Sequence, residues 1–331
     1  MTQFHYRAYG MQIISNQLLG SLMPVAGGYP ADLTLQFSEM AELPEKTGGH
    51  SILRTTGRNT AGLPYLEVLM ADEGGNGPWL AKHRSDKGAI DYILHASPKR
   101  IEVIVQSGTP AEDIDAYLTG AVFGYFLRLC GNSCLHGGFL SWHGKAIGVV
   151  GPKGAGKSTL TASWAQQGLP VLADDVGCLI ANGESWKIAS AYPRIRLWPA
   201  TFNGLMIENT QKIGNVMSFA DKVYVDLEHS PFCFEAEAQR LGTILVLAPR
   251  TAGELTIEKL SGANALAALL GQIYAPQAGG KQARIRDVRM LTDVIKTVPV
   301  YRAALPDRYD WLRHNSMKLL GQIIDEFSGN A

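Results

Sequence analysis

The run Val149-Val-Gly-Pro-Lys-Gly-Ala-Gly-Lys-Ser158 limits the fold more than any other stretch of the chain. Residues Gly151 to Ser158 fit G-x-x-x-x-G-K-[ST], with an apolar strand-like run before them and the helix-forming KSTLTASWAQQ after them. Glycines at these positions let backbone N–H groups converge on phosphate oxygens, and the helix that follows aims its positive end at the same point. The expected contacts to a nucleotide phosphate are Gly151, Lys153, Gly154, Ala155, Gly156, Lys157, Ser158 and Thr159. Lys157 supplies a point charge for the outer phosphates, and the Ser158 hydroxyl is positioned to ligate Mg²⁺. The motif does not by itself separate a kinase from an ATPase, a GTPase or a transporter subunit.

Only one helix separates this loop from two adjacent carboxylates. The helix is expected to end at Gly168 as its C′ residue, and Pro170 then opens the short apolar strand VLA that delivers Asp174 and Asp175. Phosphoryl transfer to a hydroxyl needs a metal ligand and a group that orients or deprotonates the nucleophile, and two carboxylates at one strand end can divide those tasks. Mutual repulsion also raises the pKa of one of them, which suits a base. Upstream, CLHGGFLSW and KAIGVVG read as a β-hairpin turning at His143 and Gly144, which brings His136 near the loop.

From Phe4 to about Gln106, the segments FHYRAY, MQIIS, LTLQF, YLEVLMA and IEVIV read as strands separated by Gly, Pro and Asn clusters. Helical spacing begins at TPAEDIDAYLTGAVFGYFLRLCG, with Thr109 as the expected N-cap, so the boundary is drawn between a β-rich domain, 1–108, and a catalytic domain, 109–331. In the second domain SWKIASAYPRIRLWPA, DKVYVDL and RLGTILVLAPR are followed by an alanine- and leucine-rich helical segment near 263–273, and strands and helices mix without regular alternation. That makes the fold class α/β with a mixed sheet, closed by a helix from about Asp307 to Phe327.

Composition narrows the partners. With 30 basic and 30 acidic residues the formal charge is zero, which argues against nucleic acid and anionic membranes as partners. The N-terminus lacks the apolar run of a signal peptide, and the most apolar stretch, 116–135, is interrupted by Arg128, Asn132 and glycines. A cytoplasmic location with no membrane span is expected. Cys130, Cys134, Cys178 and Cys233 form no CxxC pair and read as reduced core residues. A metal site at Cys130, Cys134 and His136 lacks a fourth ligand.

The segment Leu135 to Val176 resembles the catalytic domain of the HPr serine kinase/phosphorylase family, in the order of a His-Gly pair, the glycine loop and an ADD strand. The spacing is also similar to the phosphoenolpyruvate-carboxykinase type of nucleotide fold. The resemblance implies ATP and Mg²⁺ as cofactors, His136, Lys157, Asp174 and Asp175 as catalytic residues, and Ser158 with Asp175 as metal ligands. Which aspartate is the base is left open. No second glycine-containing signature loop of that family is found, and AYPRIRLWP, DKVYV and VPVYRAAL look more like the divergent lasso-peptide precursor kinases. A ribosomal precursor peptide or small protein is then the implied partner. Arg194, Arg196, Lys222 and Arg302 are candidate contacts to phosphate or a peptide carboxylate, and Trp198 is expected in the core. The competing functions are a kinase of a small-molecule hydroxyl and a regulatory protein that binds the nucleotide without turning it over.

Overall fold

The computed structural model describes residues 2–44, 49–71, 77–207, 212–217, 220–228 and 232–328, and the chain divides into two compact units. The first comprises Met1–Asn132 with Val216–Ala220 and Ala275–Ile285. Its nine-stranded sheet runs, in spatial order, Met23–Pro24, Phe4–Ala8, Met11–Ser15, Leu33–Met40, Lys99–Gln106, Gly88–Ala96, Trp79–Ser85, Leu66–Met70 and His50–Arg54. Each of the five expected strand segments lies in it. Trp79–Ser85 and Gly88–Ala96 escape the sequence pattern because they carry charges where a strand core expects apolar residues. Asp91 is fully buried there and is held by Arg84 at 2.7 Å.

The helical segment after the sheet comprises Ala111–Tyr117, a π-helical turn over Leu118–Val122, and Phe123–Leu129. It packs on the first sheet: the Tyr92 hydroxyl donates to the Ile114 carbonyl at 3.0 Å, and the Trp79 and Tyr125 rings meet edge-on at 6.4 Å. The first unit therefore extends to Asn132, and the boundary expected at 108/109 is corrected to 132/133. Thr109 is not the cap either. Its hydroxyl donates to the Gln106 carbonyl at 2.6 Å, while the helix begins after Pro110 without a side-chain cap.

In the second unit the strands follow the spatial order Lys145–Val150, Cys134–Trp142, Val176–Asn182, Ser185–Ile188, Gln239–Leu247, Val300–Ala304 and Thr256–Leu260. Lys145–Val150 also pairs with Gln239–Leu247, and Val171–Ala173 joins Cys134–Trp142. Lys145–Val150, Gln239–Leu247 and Val300–Ala304 are parallel, so their C-terminal ends share one edge. The expected hairpin is present. Trp142 pairs with Lys145 across a two-residue turn in which His143 (φ 47°) and Gly144 (φ 74°) both have positive φ, as a type I′ turn requires.

Glycine is required where this sheet meets its cover. A Cβ on Gly138 would stand 2.1 Å from Thr161 Oγ1, and one on Gly177 would stand 2.0 Å from the Phe139 ring. The helix Lys157–Gln166 lies against the closing helix Tyr309–Ser328, where Trp164 Nε1 donates to the Ser316 carbonyl at 2.9 Å. Cys134 and Cys178 are buried, whereas Cys130 is half-buried and Cys233 is exposed, so the core assignment fails for Cys233. No cluster of three or more His, Cys, Asp or Glu suited to a metal occurs among the described residues. Nor is any described helix long and apolar enough to cross a membrane.

Candidate functional site

The glycine loop follows a strand that is buried from Ala146 to Val150. Gly151 leaves Lys145–Val150 so close to the neighbouring strand that a Cβ there would stand 2.7 Å from the Leu247 carbonyl oxygen. Gly154 (φ 85°) and Gly156 (φ 102°) turn the chain through the left-handed region, and buried Ala155 anchors the loop in the core. Gly156 caps the helix Lys157–Gln166 without a side chain, leaving the first-turn amides to an outside acceptor. At the far end the helix closes as expected: Gly168 N–H donates to Ala165 and Leu169 N–H donates to Trp164, the paired bonds of a Schellman motif. The Lys157 ammonium donates to the carbonyls of Gly151 at 2.8 Å and Pro152 at 3.2 Å, so it lies folded along the loop it is expected to serve. Burial lowers its pKa, and the charges of Asp175 and Asp174 oppose that shift.

Asp174 and Asp175 leave the end of Val171–Ala173 in opposite environments. Asp174 is only 4% exposed, and its Oδ2 accepts the Arg196 backbone N–H at 3.0 Å. Burial, reinforced by the neighbouring Asp175 charge, raises its pKa above the ordinary carboxylate value. Asp175 is half-buried with φ 76°, a strained conformation that turns its carboxylate toward His136. His136 Nδ1 is 3.2 Å from Asp175 Oδ1, and Arg196 reaches Oδ2 at 3.7 Å. Burial would raise Asp175, but the His136 hydrogen bond and the charges of His136, Arg196 and Lys222 outweigh it and hold the carboxyl well below its usual range.

Arg196 is built into the wall behind this pair. It is 9% exposed, donates to the Tyr192 hydroxyl at 3.2 Å, and lies 5.5 Å from the centre of the Tyr224 ring. Burial pushes the Tyr192 phenol up, so it stays protonated beside the guanidinium. Arg194 shares the Tyr224 ring at 5.3 Å.

The loop and both aspartates border one cavity of about 330 Å³, which Arg194 does not line. Of the residues expected from the sequence, His136, Lys153, Gly154, Gly156, Lys157, Ser158, Thr159, Asp174, Asp175 and Lys222 line it. Gly151 and Ala155 shape the loop from beneath, and Arg196 supports both aspartates without lining the cavity. Arg302 does not join them: it lies mid-strand and pairs with Glu258 on the adjacent strand at 3.1 Å. Trp198, expected in the core, is instead 53% exposed on the cavity wall, with the Lys222 ammonium 5.1 Å from its ring centre. Proline at the first turn of Pro199–Gly204 starts a helix directly after Trp198, which leaves the indole outside the packed layer.

Sequence reasoning missed Arg250, Tyr309 and Thr201 on the same wall. Arg250 follows the strand Gln239–Leu247 on the edge shared with the glycine loop, and it is ion-paired to Asp307. The signal for it was its position just beyond the carboxyl end of a parallel strand, where sites in α/β sheets collect. Thr201 shares a hydrogen bond with Thr159 at 3.3 Å, a pairing that no local pattern announces.

A scan of protein-family models finds none that matches the chain, and a search of curated proteins also finds no match. Among solved structures, the HPr(Ser) kinase/phosphatase from Coxiella burnetii is similar over 57% of this chain and 93% of its own, with 14% sequence identity and a TM-score of 0.27.

Proposed function

We propose that the protein is an ATP- and Mg²⁺-dependent kinase that transfers the γ-phosphoryl group to a serine hydroxyl of a peptide or small protein, with the C-terminal serine of a lasso-peptide precursor as the specific acceptor. The observation that carries this reading is the meeting, in one cavity, of Lys157 and the loop's helix start with two aspartates whose pKa values are driven in opposite directions. The sequence order of His-Gly pair, glycine loop and ADD strand supports it, and a cytoplasmic location goes with it.

The amide end of Lys157–Gln166 and the Lys157 ammonium hold the phosphates and offset charge on the transferred group. Asp174, with its raised proton affinity, accepts the proton of the acceptor hydroxyl as that oxygen bonds to the γ-phosphorus and the bond to the departing ADP oxygen breaks. Asp175 stays ionised beside His136 and Arg196. The donor set suits Mg²⁺: the Ser158 hydroxyl and the Asp175 carboxylate are hard oxygen donors on one cavity, few enough to leave positions for phosphate oxygens and water. When bound, the ion would neutralise charge on the β- and γ-phosphates.

The test is intact-mass analysis after incubation with ATP, Mg²⁺ and separate acceptors: serine-ended precursor peptides, HPr, and a set of small hydroxyl compounds. The expected result is one phosphoryl group gained by the peptides. In Asp174→Asn the rate should fall by at least about 100-fold with ATP binding retained. Gain confined to a small compound would replace the acceptor class, and ATP binding with no acceptor modified would leave the regulatory reading. Full activity in both Asp174→Asn and Asp175→Asn would overturn the assignment.

A further inference from the structure

The strands that end at the glycine loop begin, at their other ends, beside a second cavity of about 440 Å³. Lys145 opens the strand that Gly151 leaves, so the two sites are separated by about 20 Å of extended chain. Four cationic side chains line this cavity, Lys145, Arg240, Lys259 and Lys296, and no Asp or Glu is among the described residues that line it. Lys296 also holds Asp293 at 2.6 Å, on the helix Gly280–Thr297.

The cations are aligned by the sheet. Arg240 is in register with Lys145 on one neighbouring strand and with Lys187 on the other, and residues in register project to the same face. An anion on that face meets cations from neighbouring strands, with Lys145 and Arg240 lining the cavity itself. The cavity wall also includes Ser261 and Gly262, where the nine-residue helix Gly262–Leu270 begins without a side-chain cap, adding that helix's positive end to the same space.

We propose that this cavity is a binding site for a small polyanion with at least two negative charges, a phosphate ester or a polycarboxylate, separate from the glycine loop. The volume lies in the range of small-ligand sites. At least two charges match cations supplied by separate elements, Lys145 and Arg240 by one strand pair, and Lys259 and Lys296 by others.

The test is calorimetric titration with citrate and with inorganic pyrophosphate at low ionic strength. The protein carries Lys157→Ala, which weakens phosphate binding at the loop. Each probe should bind one-to-one, with affinity that falls as salt is added. Arg240→Gln and Lys259→Gln should each weaken binding at least about tenfold, while Arg302→Gln, outside the cavity, should leave it unchanged. Circular dichroism checks that each variant is folded. Absence of binding by both probes in the wild type and in Lys157→Ala would overturn the proposal, as would affinities unmoved by both cavity substitutions. Binding of an oligoglutamate peptide without binding of either small probe would also overturn it, in favour of a protein-docking face. None of these readouts depends on phosphoryl transfer, so the kinase reading stands or fails separately.

Discussion

Strand Leu33–Met40 in the first unit alternates buried and exposed residues through Phe37, whereas Lys145–Val150 in the second is buried continuously from Ala146. The first pattern belongs to a sheet with one covered face, the second to a strand covered on both. In the first unit ion pairs are therefore spread along the strands, as with Arg54–Glu67 and Arg100–Glu102. In the second, Gly151, Asp174 and Arg250 all lie just beyond strand ends. Covering both faces leaves strand ends as the accessible place for reactive groups.

The sharpest way to break this contrast is in the second core. Ile147→Ala removes a fully buried side chain from the strand that carries the loop and should cost about 2–5 kcal/mol in urea denaturation. A loss below about 1 kcal/mol would mean that one face of that strand can relax. Gly177→Ala should follow, at about 1–3 kcal/mol, because its Cβ would meet the Phe139 ring.

The adjacent aspartates repeat the contrast within one turn of chain, and their stability effects have opposite signs in the metal-free protein. The pKa of Asp174 is raised on folding, so its charge opposes the folded state once the pH exceeds that raised value. Asp174→Asn should increase Tm at neutral pH by about 2 °C even as it slows the proposed transfer, and the increase should vanish at acid pH where both states hold the proton. Asp175 is depressed, so its contribution is fully present above the ordinary carboxylate pKa of about 3.9 and is lost as the pH falls toward the folded value. Asp175→Asn should therefore lower Tm at neutral pH, with the deficit shrinking as the solution is acidified through that window. The same raised pKa of Asp174 predicts that kcat/KM falls on acidification at a pH above the ordinary carboxylate value. The smallest effect belongs to the open face of the first sheet, where Thr34→Ala should change stability by no more than about 0.5 kcal/mol.

Where local chemistry decided the outcome, the sequence could be read. The strand and helix flanking the glycine loop, the Gly168 helix end, the His143-Gly144 turn and the aspartate strand each depend on residues a few positions apart, and each formed as expected. The misplacements involve distant partners. Thr109 spends its hydroxyl on the Gln106 carbonyl, the helices 111–129 join the sheet before them, and Trp198 is turned out by the proline that follows it.

Taken alone, the sequence determined that a strand, a glycine loop and a helix follow one another, and that two carboxylates come one helix later. Those are consequences of φ freedom, capping and short apolar runs, which act within a few residues. Tertiary structure decided which aspartate is raised and which is depressed, because that depends on Arg196, His136 and Lys222 arriving from other strands. It also decided that Arg250 and Tyr309 join the cavity while Arg302 does not, and that Lys145, Arg240 and Lys187 stand in one row. Electrostatic environment is a property of three-dimensional neighbours, and strand register selects those neighbours from residues tens of positions apart.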